Sequence, residues 1–63
     1  MELITVLINI AGFKITETIH YKDGFPNNTE YHIRTGTGNI VSRAFSNPDE
    51  PSKLLADIRD RMA

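Results

Sequence analysis

His20 and His32 have the widest chemical reach in this chain, because an imidazole can ligate a metal or carry a proton near neutral pH. Two histidines alone do not make a lasting zinc site, which takes three or four protein ligands. The sequence has no cysteine, and no carboxylate is well spaced to complete the set. The pair is therefore expected to be surface imidazoles, with no metal and no cofactor. Nucleophilic catalysis needs an activated nucleophile, a base within reach and an orienting group. Ser42, Ser46 and Ser52 have no such signature around them. Asp49-Glu50 and the pair Asp57 and Asp60 fall on a short exposed helix, where burial cannot tune a carboxylate for acid–base work. Gly36-Thr37-Gly38-Asn39 has the composition of a phosphate cradle but would have to open a helix to act as one. It separates two strand-like runs instead. No catalytic residue is assigned, and the chain reads as a non-enzyme.

Two charges interrupt apolar patterns. Glu17 is the one charged residue on the apolar face of its strand, and Arg43 is the matching anomaly on a later strand. A buried carboxylate must be paired or protonated. Glu17 either reaches the rim beside the helix or forms an ion pair with Arg43.

These side chains are positioned by a hairpin over residues 2 to 21. Val6, Ile8 and Ile10 are β-branched, and Phe13 to Tyr21 alternates. With Ala11-Gly12 as the loop, Ile10, Ile8 and Ile4 face Phe13, Ile15 and Ile19. The other face then pairs Asn9 with Lys14, Leu7 with Thr16, Thr5 with Thr18 and Leu3 with His20. Lys22 to Asn28 is rich in turn formers and reads as a loop. A third strand is expected over roughly Thr29 to Thr35, a turn at Gly36-Thr37-Gly38, and a fourth strand over Ile40 to Phe45. An odd-length turn, pairing Ile33 with Val41, is preferred because it groups Ile33, Val41 and Phe45. Ser46-Asn47-Pro48-Asp49-Glu50-Pro51 supplies a cap and two prolines suited to a first helical turn. Leu54, Leu55, Ile58 and Met62 follow at helical spacing. The expected fold is α+β: one domain over residues 1–63, with a small four-stranded antiparallel sheet in the order β-β-β-β-α and one C-terminal helix packed on one face.

Composition sets limits. A charged fraction of 24% and a hydrophobic fraction of 40% are those of a folded domain. A chain this short buries only about 60% of its unfolded surface and is marginally stable. The net charge is -1. No cationic cluster is present to release phosphate counterions, which argues against unspecific nucleic-acid binding. The apolar stretch Leu3 to Phe13 falls short of the roughly 20 residues needed to span a bilayer. The absence of cysteine and of an export signal favours the cytoplasm.

In the expected register the polar sheet face, which also includes Lys14 and Ile40, carries Leu3 and Leu7 among Thr16, Thr18, His20, His32 and Arg34. Leucines at the centre of a polar face exceed what solubility requires, and rimmed apolar patches mark interfaces. These seven residues are the candidate partner-binding set, and a homodimer through that face is a further expectation. In size, near-neutral charge and lack of catalytic groups, the chain resembles the small phage- or mobile-element-encoded inhibitors of bacterial defence or host enzymes. That resemblance implies a stoichiometric inhibitor or adaptor acting on a partner protein through the sheet face or an exposed edge strand. The expected strand order is also similar to that of the single-stranded-DNA-binding transcriptional coactivator family, which implies nucleic-acid binding as the alternative. A small structural or assembly subunit is the third class.

Overall fold

The computed structural model describes residues 1–62 and contains three strands and one helix. Strands β1 (Glu2–Ile10), β2 (Phe13–Lys22) and β3 (Phe25–Arg34) form an antiparallel sheet in the order β1-β2-β3. Helix α1 (Asp49–Met62) follows at the C-terminus. Both hairpin turns put consecutive residues at positive φ: Ala11 at 54° and Gly12 at 83°, then Asp23 at 53° and Gly24 at 81°. That is the type I′ geometry whose twist matches a right-handed hairpin. Asp23-Gly24 therefore closes a tight hairpin. The Lys22–Asn28 segment expected to be a loop is mostly strand, because β3 begins at Phe25.

The expected fourth strand is absent, so the sheet has three strands rather than four. Its segment touches β3 only at two isolated bridges, Arg34 with Ile40 and Tyr31 with Phe45. The backbone N–H of Val41 donates to the Ile33 carbonyl at 3.0 Å, which is the preferred odd register. The ladder then breaks because the Ser42 hydroxyl, not a carbonyl, accepts the Ile33 N–H at 2.9 Å. A local hydroxyl competes with a backbone ladder in this way. Pairing resumes at Phe45, opposite Tyr31, where an unbroken ladder would have placed Arg43. The four-strand order behind the likeness to the coactivator family is not present.

The first hairpin departs from the expected register beyond Ile8. Ile10 pairs Phe13, Asn9 pairs Lys14 and Ile8 pairs Ile15 as the alternation predicts. Leu7 is then extruded as a β-bulge, and Val6 pairs Thr16, Thr5 pairs Glu17, Ile4 pairs Thr18 and Leu3 pairs Ile19. A one-residue slip exchanges the faces of a strand. Ile4 and Val6 thus lie on the face away from the helix, while Leu3 and Thr5 share the helix side with Ile19 and Glu17.

The helix starts where the sequence caps it. Asn47 Oδ1 accepts the Glu50 N–H at 3.0 Å, and Asp49 and Glu50 occupy the positive end of the helix dipole. Pro51 is almost fully buried in the first turn, where a missing N–H costs little. Leu55 enters a core of Ile15, Ile33 and Phe45, flanked by Ile10, Phe13 and Tyr31. These residues lie toward the end of the sheet that carries the Ala11-Gly12 turn, in a body measuring 46 × 21 × 16 Å. A radius of gyration of 12.6 Å exceeds the roughly 10.6 Å of a compact chain of this length. The molecule is therefore elongated.

That asymmetry sets the expected mutational response. Leu55→Ala should cost about 2–5 kcal/mol, a large share of the roughly 3–9 kcal/mol available to a chain of this size. Ile4→Ala, at a side chain already 49% exposed, should cost well under half as much in the same urea titration. Equal losses would show that the core is placed elsewhere.

Candidate functional site

The predicted partner-binding set does not form one patch. Thr16 and Thr18 are buried, at 1% and 4% exposure, although they face away from the helix. Their neighbours explain this. Thr16 lies between Val6 and His32, and Thr18 between Ile4 and Glu30, so larger side chains on both flanking strands close over the central one. Arg34 adds to the cover: its Nε donates to Thr16 Oγ1 at 3.0 Å and its Nη1 to the Gly38 carbonyl at 2.9 Å. That second bond ties the turn after β3 to the sheet and occupies a cation that nucleic-acid binding would require. Leu3 is on the helix side and Leu7 is in the bulge, so neither stands at the centre of the polar face.

His20 and His32 are brought together by a residue the spacing argument passed over. Glu30 lies two residues before His32 and therefore on the same face. Its Oε1 is 2.8 Å from His20 Nε2, and its Oε2 is 3.6 Å from His32 Nε2. Glu2 approaches His20 Nδ1 at 3.4 Å from β1. The Glu30 carboxylate fills the space between the imidazoles. Among the described residues no group of three or more His, Cys, Asp or Glu has the geometry to hold a metal ion. Two buried polar atoms in this region, Thr18 Oγ1 and His32 Nδ1, have no hydrogen-bond partner.

Glu17 and Arg43 do not pair. The Glu17 carboxylate accepts a hydrogen bond from Tyr31 Oη at 3.1 Å, across the β2–β3 ladder. Arg43 turns to the helix instead, 2.6 Å from Glu50 and 4.3 Å above the Phe45 ring. Both charges of the Arg43–Glu50 pair are more than half exposed, so its contribution is small. Sequence alternation identified Glu17 as a misfit but not its partner, because Tyr31 reads as an apolar core residue.

The surface that stands out is β1. It is an edge strand, paired with β2 on one side only. Every residue from Glu2 to Asn9 is exposed. Leu3, Ile4, Val6, Leu7 and Ile8 are each 43% to 49% exposed. Near its start a groove of about 420 Å³ is lined by Met1, Leu3, Tyr21, Asp23 and Gly24. The only charge on the strand is Glu2, and it contains no lysine or proline, the residues that usually blunt such an edge. The β3 edge differs. From Tyr31 to Thr35 its outward groups are taken by Asn39, Val41, Ser42 and Phe45. Its remaining length carries Pro26, an irregular register and the polar run Asn27-Asn28-Thr29-Glu30.

The Tyr31–Glu17 hydrogen bond has a testable pH signature. It raises the Tyr31 pKa above its ordinary value of 10.0, helped by burial and by the carboxylate charge. The folded state thus holds the phenolic proton more tightly than the unfolded state. The resulting stabilisation is complete below pH 10 and is lost as pH rises through 10 toward the folded value. Urea midpoints of the native chain should therefore fall more steeply above pH 10 than those of Tyr31→Phe. Parallel profiles would show that the bond does not persist in solution.

No helix among the described residues is long and apolar enough to cross a membrane. No family model, curated protein or solved structure matches the chain.

Proposed function

We propose that this chain is a small protein-binding module, acting stoichiometrically as an inhibitor or adaptor rather than as an enzyme, and that β1 supplies the contact. The observation that carries this reading is the open edge itself. A long strand with unpaired backbone groups and aliphatic side chains on both faces is a template for strand addition. Main-chain hydrogen bonds provide affinity in that mode, and the alternate side chains provide selectivity. Ile4 and Val6 face one side of the sheet and Leu3 and Ile8 the other, so an added strand would meet apolar cover above and below.

The hydroxyl groups support the non-catalytic part of the reading. Ser42 Oγ accepts the Ile33 N–H and donates to the Arg43 carbonyl, and Ser52 Oγ donates to the Pro48 carbonyl at 2.7 Å. Both are committed to holding backbone. The candidate residues are redistributed accordingly. Leu3 and Leu7 belong to the contact, together with Ile4 and Val6, whereas Thr16, Thr18 and Arg34 support the sheet beneath it.

The double variant Ile4→Lys, Val6→Lys tests this reading. Both side chains are about half exposed, so the variant should keep its circular dichroism and fold cooperatively. In quantitative affinity capture, a protein bound at one-to-one stoichiometry by the native chain should be lost with the variant. Equal recovery by both chains would remove β1 from the function.

A further inference from the structure

The geometry points to a specific occupant of the β1 edge: we propose that the chain pairs with a second copy of itself, antiparallel and edge to edge, about a two-fold axis at Ile4. The proposal rests on β1 being the contact surface, as above, and names the partner.

The first support is hydrogen-bond parity. In an antiparallel pair, successive residues alternate between directing their backbone groups at the neighbouring strand and away from it. The Tyr21 N–H donates to the Met1 carbonyl at 2.8 Å, so Met1 faces β2. With the register Glu2–His20 through Val6–Thr16, Leu3 and Thr5 face β2 as well. Glu2, Ile4 and Val6 then direct their N–H and C=O groups outward. A two-fold axis at Ile4 sets Ile4 opposite Ile4 of the second copy and Glu2 opposite its Val6. All the outward groups of that stretch are paired, and the ladder ends just before the bulge at Leu7.

The second support is charge. Parallel in-register pairing would stack the two Glu2 carboxylates, and like charges directly opposite destabilise a sheet. The antiparallel register carries them to opposite ends of the ladder, each beside its own His20 at 3.4 Å.

The third is valence. The β3 edge is occupied from Tyr31 to Thr35 and blunted before that, which leaves each chain one open edge. An isologous contact through one edge closes at two copies, whereas a head-to-tail contact would propagate. The product is a six-stranded sheet in the order β3-β2-β1-β1-β2-β3, with one helix packed across each half.

The fourth is surface. The chain exposes 4394 Å², against roughly 4,100 Å² for a compact monomer of its mass. Pairing along β1 would remove on the order of 1,000 Å² from the two copies together, the lower end of specific interfaces. The association is therefore weak and concentration-dependent.

Sedimentation equilibrium from about 1 μM to about 1 mM covers the expected range of affinities. The native chain should pass from monomer to dimer and stop there, while Ile4→Lys, Val6→Lys should stay monomeric and folded. Because the chain has no cysteine, Ile4→Cys gives an independent reading. Facing Cα atoms about 5.5 Å apart lie within disulfide range, so mild oxidation should yield a covalent dimer faster than with Asn28→Cys on exposed β3. A native chain that stays monomeric, or grows beyond two copies, overturns the proposal, as does Ile4→Cys cross-linking no faster than Asn28→Cys. A monomeric native chain that captures a protein lost by the lysine variant overturns self-pairing and leaves the partner-protein reading standing. A dimer whose protein capture is unaffected by the lysines supports self-pairing and removes β1 from that other reading.

Discussion

The insertion of Leu55 between Ile15, Ile33 and Phe45 is the contact on which the rest of the molecule depends. There the helix, the sheet and the segment after β3 meet in a buried core. With no disulfide, and with a helix too short to persist alone, this cluster converts a marginal hairpin assembly into a domain. Its position toward the Ala11-Gly12 end of the sheet has a direct effect on β1. The near part of the strand, around Ile8 and Ile10, lies by the core, while Glu2 to Val6 pairs with β2 and carries side chains about half exposed. Exposure of β1 and economy of the core are two aspects of one arrangement.

The face away from the helix is stabilised by a different kind of interaction. A threonine pair on the central strand is covered laterally, by Ile4 and Val6 from one side and by Glu30, His32 and Arg34 from the other. This is a shallow second layer without a second helix. It explains why polar residues dominate there yet few are free. Arg34 is engaged by Thr16 and the Gly38 carbonyl, and Glu30 lies against both imidazoles.

Much of the fold was legible because it rests on local chemistry. Asn47 before Pro48, acidic residues in the first turn and Leu54-Leu55-Ile58 spacing located the helix. Ala11-Gly12 located the first turn, and Ile8–Ile15 the register beside it. The errors share a cause. The Leu7 bulge leaves no mark on composition, since Leu3 to Ile8 is apolar enough on both faces to satisfy either register. Ser42 reads as an ordinary strand residue until its hydroxyl takes the bond that a carbonyl would have taken. Asp23-Gly24 was visible as a turn, but Phe25-Pro26-Asn27-Asn28 concealed a strand that is tolerated because it lies at an edge. The site was less legible than the fold. Leu3 and Leu7 leave the polar face because of a bulge that the alternation does not reveal, and Glu30 lies between the imidazoles because it shares a face with His32.

The Leu7 bulge also bears on solubility. Long, flat, uncharged edges recruit further strands without limit and lead to cross-β stacking. By bending β1 after Val6, Leu7 keeps the straight part of the edge short, in a strand without proline or lysine to do so. Since Val6–Thr16 and Ile8–Ile15 already flank it in register, a chain lacking Leu7 would keep every pair and both faces. It would lose only the kink, leaving an unbroken apolar edge from Glu2 to Ile10. In β1 the Leu7 bulge thus interrupts the edge in the way that proline or lysine does in other strands.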